Sequence, residues 1–147
     1  MLEKQIASDT LTAMKNSDKF KVSVLRMLKS SLQSEKISSK VTDLTDEQVI
    51  MVIKKQLKER KASVIEYTKY NRPDMVSDLE KEIAILEEYL PKQLSQEELE
   101  TKVQEILKNY PEATIKDMGK IMKEANCVLG SVADMSEVSK LIKASLN

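Results

Sequence analysis

Residues 87–99 read Glu87-Glu88-Tyr89-Leu90-Pro91-Lys92-Gln93-Leu94-Ser95-Gln96-Glu97-Glu98-Leu99, and this stretch decides the fold. Just upstream, Met75, Leu79, Ile83 and Leu86 recur at helical spacing, which marks the buried stripe of a helix. Pro91 ends that helix, because proline has no N–H to donate and its ring crowds the carbonyl one turn back. Ser95 and Glu98 then stand at the spacing of a capping box, with Leu94 and Leu99 placed to form a hydrophobic staple. One helix stops and a fresh one starts, so two helical lobes meet here. The reading is an all-α fold: a longer-helix N-terminal lobe over residues 1–93 and a small three-helix lobe over residues 94–147.

The rest of the chain agrees with that period. Two glycines and three prolines in 147 residues leave few places for sharp turns, and Leu, Lys, Glu, Met and Ile favour helix. Leu2, Ile6, Ala13 and Met14 predict a first helix to about Asn16. Val24, Leu25, Leu28 and Leu32 predict a second from Asp18 to about Ser38. Thr45 with Gln48 opens a third, whose stripe is Val49, Ile53, Leu57, Val64 and Thr68 and which runs to about Tyr70. Pro73 fits the first turn of a fourth. Shorter helices are predicted near 96–109, 115–126 and 135–146, the second opened by Thr114 and Asp117 and the third by Asp134. The eight methionines fall mostly at stripe positions and are expected in the core, as is Cys127 beside Val128 and Leu129.

Composition removes most enzyme chemistry. With no histidine there is no Ser-His-Asp relay and no His-based zinc site. A single cysteine allows no disulfide, no CxxC pair and no thiolate cage, and two glycines cannot build a P-loop or a dinucleotide fingerprint. No cofactor and no metal site is therefore expected. The charge balance is 24 basic against 24 acidic residues, so a nucleic acid or anionic membrane would need a local patch. No apolar run approaches the roughly 20 residues of a bilayer span, and no export signal is visible, which predicts a cytoplasmic chain with no membrane partner.

Three constellations remain. Lys54, Lys58 and Lys61 share a helix face and can meet successive phosphates, or simply form a solvated face. Arg60 falls near the Leu57–Val64 stripe and needs a carboxylate, for which Glu82 and Glu35 are the candidates. In the helix from Thr114, Ile115, Met118, Met122 and Ala125 take one side and Lys116, Lys120 and Lys123 the other. Gly119 sits inside that helix, where it costs about 1 kcal/mol relative to alanine, so either a crossing helix or a phosphate is expected against its backbone.

Four segments resemble the successive signatures of the YqeY family: Leu25-Arg26-Met27-Leu28-Lys29-Ser30-Ser31-Leu32, Leu57-Lys58-Glu59-Arg60-Lys61-Ala62-Ser63, Glu87 to Ser95, and Asp117-Met118-Gly119-Lys120-Ile121-Met122. Their order and spacing match over nearly the whole chain. The C-terminal third also resembles the helical tail domain of the GatB component of the glutamine-dependent aspartyl/glutamyl-tRNA amidotransferase. The resemblance implies a label of carbon–nitrogen ligase with glutamine as amide donor, a tRNA partner held by the tail, and other amidotransferase components as neighbours. The residues offer no nucleophile or phosphate loop of their own, so any such chemistry is expected from another chain. The second reading is a helical adaptor that meets another protein. Gly119 and Lys120 match the family pattern directly, whereas Gly130 to Met135 lacks the basic residue usual there.

Overall fold

In the computed structural model, which describes residues 1–146, seven α-helices and one 3-10 turn form and no strand occurs among the described residues. The chain packs as two units, Met1–Leu90 and a second that begins at Pro91.

The first unit holds α1 (Leu2–Lys15), α2 (Lys19–Ser39), α3 (Asp46–Lys69) and α4 (Pro73–Glu87). Three of the four starts have a local cause, and α1 is instead met by Asp46, whose Oδ1 accepts from Leu2 N–H at 3.0 Å. Asp18 accepts from Lys21 N–H ahead of α2. Thr45 and Gln48 close a capping box at α3, Gln48 N–H donating to Thr45 Oγ1 at 3.2 Å and Thr45 N–H to Gln48 Oε1 at 2.9 Å. Pro73 occupies the first turn of α4. The joints after α1, α2 and α3 place Ser17, Lys40 and Asn71 at φ 56°, 56° and 54°, the left-handed region, with no glycine at any of them. At the third joint Arg72 N–H reaches back to Tyr67 O at 3.0 Å, which fastens the end of α3.

Ile6, Val24, Leu25, Leu28, Leu32, Val49, Ile53, Leu57, Leu86 and Tyr89 form the core of this unit. The helical stripes account for it, with exceptions at the ends. Thr68 and Met14 are exposed, because α3 and α1 have run past the core there. None of the eight methionines is buried, contrary to expectation: Ile, Leu and Val fill the interior and leave the thioethers half-buried or outside.

The second unit holds α5 (Gln96–Leu107), a 3-10 turn (Ile115–Asp117), α6 (Met118–Leu129) and α7 (Met135–Ser145). Ser95 and Glu98 close the capping box of α5, and Leu94 and Leu99 join the same apolar cluster. Pro91 to Gln93 pack with this unit rather than with the first. Gln93 Nε2 donates to Ser131 O at 3.0 Å and Leu94 N–H to Val132 O at 2.9 Å, which moves the boundary from 93 back to 90. The helix expected at 115–126 is also displaced. Thr114 caps only a 3-10 turn over Ile115–Asp117, closed by Asp117 N–H to Thr114 O at 2.9 Å, and the α-helix runs from Met118 to Leu129.

Candidate nucleic-acid interface

In the second unit, α6 buries Ile121, Ala125 and Leu129 against α5 and α7, with Met118 and Met122 half-buried beside them. Ile121 is fully buried and is the centre of the stripe. Ile115, expected on it, is exposed because it lies in the 3-10 turn ahead of the α-helix. The opposite side carries Gly119, Lys120 and Lys123, all exposed, and Lys116 stands exposed on the preceding turn. Lys116 is thus not part of α6, and the three ammonium groups come from two kinds of helix in succession.

None of the three lysines pairs with a carboxylate among the described residues. The reason lies one turn further on. Lys120 and Glu124 have the i, i+4 spacing at which helix ion pairs form. Glu124 is engaged elsewhere, accepting from Tyr110 Oη at 2.6 Å and from Asn109 Nδ2 at 3.4 Å. That hydrogen bond, aided by desolvation, raises the Tyr110 hydroxyl above its ordinary pKa. Sequence reading missed Tyr110 and Asn109, since their loop lies outside any periodic stripe. The Asp117 carboxylate turns back to accept Thr114 N–H at 3.0 Å.

Gly119 faces open space: a Cβ built there meets nothing within 4 Å. No helix among the described residues crosses its backbone, so the crossing-helix expectation is corrected and the position is accessible. Cys127 is exposed rather than buried, because it falls on the outer side of α6 between the buried Ala125 and Leu129. Among the described residues no group of three or more His, Cys, Asp or Glu side chains can hold a metal ion.

The first unit treats its cations differently. Lys54 is half-buried, Lys58 is exposed, and Lys61 Nζ lies 3.6 Å from Glu87 Oε1 of α4. Arg60 is buried, with Nη1 donating to Gln56 O at 3.4 Å and Gln56 Oε1 at 3.3 Å. Its Nε lies 3.9 Å from Glu82 Oε2 and makes no hydrogen bond. Gln56 Nε2 in turn donates to Ser31 Oγ of α2, so the guanidinium joins a polar chain across α2, α3 and α4. Glu35, the other candidate for Arg60, instead accepts from Ser39 Oγ at 2.7 Å.

The family model described as Yqey-like protein matches residues 3–146. Two proteins named altered inheritance of mitochondria protein 41, mitochondrial, are similar. That of Vanderwaltozyma polyspora is 28% identical over 73% of this chain and 59% of its own length, and that of Kluyveromyces lactis 32% identical over 74% and 60%. An uncharacterised protein of Schizosaccharomyces pombe is 32% identical over 64% of this chain and 76% of its own length. The chain therefore spans about three fifths of the two mitochondrial relatives. No helix among the described residues is long and apolar enough to cross a membrane.

Proposed function

The chain belongs to the YqeY family, and from that premise we propose that it is an accessory RNA-binding protein, with tRNA as ligand, that works beside a glutamine-dependent tRNA amidotransferase and performs no catalysis alone. The observation that carries this reading is the trio Lys116, Lys120 and Lys123: exposed, without carboxylate partners among the described residues, and flanking the open backbone of Gly119. A phosphate backbone needs such cations, since an already paired lysine must first give up its partner. The basic stretch of α3 is the weaker candidate, because Lys61 is paired with Glu87 and Lys54 is half-buried. Non-catalysis is part of the proposal because the chain has no histidine and no activated nucleophile to run amide transfer. We place the chain in the cytoplasm, a reducing compartment in which the exposed Cys127 stays a thiol.

Three phosphate contacts give a logarithmic salt slope of about −2 to −3, and thus a loss of roughly 15- to 65-fold in affinity between about 50 and 200 mM salt. The test is fluorescence anisotropy with labelled tRNA. Replacing Lys116, Lys120 and Lys123 together by Glu is expected to abolish binding with helicity unchanged, while the same change at Lys54, Lys58 and Lys61 has the smaller effect. Full affinity in the first variant, or loss only in the second, overturns the reading.

A further inference from the structure

The turn between α1 and α2 opens onto a groove of about 530 Å³ lined by Met14, Ser17, Lys19, Val22, Arg26 and Met27, with Ser23 beside them. Met14 and Met27 stand 48% and 53% exposed, large apolar groups held in water by a unit whose core is already filled. Lys19 and Arg26 are exposed and pair with no carboxylate among the described residues. Among the described residues no carboxylate lines the groove, and its two charged lining residues, Lys19 and Arg26, are both cations; the nearby Asp18 is turned to the Lys21 N–H that caps α2. Leu25 and Leu28, on either side of Arg26 and Met27, are fully buried. The segment Leu25 to Leu32 therefore builds the core with its leucines and presents Arg26 and Met27 outward, where the fold of this unit makes no use of them.

We propose that this groove docks an amphipathic helix of a partner protein whose apolar stripe is bordered by Glu or Asp. Helix-in-groove recognition needs an apolar floor for side chains at i, i+3, i+4 and i+7, with charges at the rim to set the register. Met14, Val22 and Met27 supply the floor. Methionine suits it, since an unbranched thioether adapts to the shape of an incoming Leu or Phe. Lys19 and Arg26 supply the rim, about two turns apart along α2, so acidic residues two turns apart on the incoming helix are met. RNA is the poorer fit because the floor between the two cations is apolar, whereas a phosphate backbone gains from cations. A membrane surface is poorer still, for two methionines and a valine are far less than the continuous apolar face of an interfacial helix. The site lies in the first unit and stands independently of the lysines of α6.

The test is a selection on the full chain from a displayed library of helical peptides of about 18 residues, or five turns, with Leu fixed along one stripe and the flanking positions randomised among Glu, Lys, Gln and Ser. Enrichment of Glu beside the Leu stripe is expected. Anisotropy with the selected peptide should then show at least a tenfold loss of affinity in Lys19→Glu/Arg26→Glu, and a similar loss in Met14→Ser/Met27→Ser. All four side chains are exposed, so both variants should keep the parent's circular dichroism and melting temperature, and Lys116→Glu should leave peptide affinity unchanged. Enrichment of Lys, no enrichment, or a selected peptide that binds both double variants as well as the parent overturns the proposal. So does self-association of the chain that Met27→Ser abolishes, or binding of tRNA or of phosphatidylglycerol vesicles that the same substitution removes, since each gives the groove another occupant.

Discussion

Replacing Tyr89 by Phe removes one oxygen and leaves the ring in place. That oxygen donates to Asp9 Oδ2 of α1 at 2.6 Å, from a tyrosine only 6% exposed, and so fastens the segment after α4 to α1 within the first unit. A hydrogen bond to a charged acceptor is worth about 1.5–3 kcal/mol. Asp9 is half-buried and regains water when the donor is lost, which puts the cost near the lower end, about 1.5 kcal/mol. For a unit of this size that is a fall in Tm of about 6–12 °C. Burial first, and then the Asp9 hydrogen bond, raise the Tyr89 hydroxyl well above its ordinary value of 10.0. The folded state therefore holds its phenolic proton where the unfolded chain has lost it. Stability from this group is complete below pH about 10 and falls above it by up to about 1.4 kcal/mol per pH unit. Thermal melts by circular dichroism from neutral pH to about pH 11 check both points. Tyr89→Phe should melt lower at neutral pH and lose stability less steeply in alkali. A Tm within a degree of the parent, together with an unchanged alkaline limb, refutes the reasoning.

Further expectations concern backbone positions and the N-terminal clasp. Lys40→Gly relieves a left-handed residue and should stabilise the first unit by about 0.5–1 kcal/mol, read as a rise in urea midpoint at constant slope. Gly130→Ala puts a Cβ 2.5 Å from Asn126 O, so the second unit should lose roughly 1–3 kcal/mol, visible as an earlier loss of amide protection in α6 and α7. Gly119→Ala meets open space and improves helix propensity, so it should raise stability by up to about 1 kcal/mol while weakening tRNA binding; unchanged tRNA affinity would show that no phosphate approaches there. Glu3, whose burial raises its pKa but whose bonds to Lys36 and Leu44 N–H bring it net below the ordinary value, stabilises the fold above the unfolded carboxylate pKa, and that contribution is lost as pH falls through the folded one. Glu3→Gln should therefore flatten the acid limb of the stability curve below pH about 5.

Of the candidate site, the residue types and their exposure were legible and their surroundings were not. That Lys120 lies opposite the apolar stripe follows from helical period alone. That it lacks an acidic neighbour depends on Glu124 being taken by Tyr110 and Asn109, which arrive from the loop before the 3-10 turn. Lys61 looked equivalent to Lys120 in the sequence, and differs because α4 brings Glu87 within 3.6 Å of it. The groove at the α1–α2 turn had no sequence signal, since Met14 and Met27 fall at positions that period alone assigns to a buried face or leaves undecided.

Most helices and their starts were legible in the residues alone, because caps, staples and proline stops act over a few residues and need no partner: Ser95 with Glu98, Thr45 with Gln48, and Pro73 and Pro91 are of this kind, whereas the start of α6 at Met118 was not. The sequence also determined what chemistry is missing, because an absent histidine is absent in every fold. Which apolar groups stay outside is a matter of how the helices pack. The helices together offer more apolar side chains than the small cores enclose, and the choice of Ile6, Leu25, Leu28 and Leu86 over Met14, Met27 and Cys127 is made by which helix faces close on one another. Tertiary packing likewise decided which cations are paired, because a salt bridge between helices depends on the side chain that the neighbouring helix brings to the contact, as Glu82 is brought to Arg60.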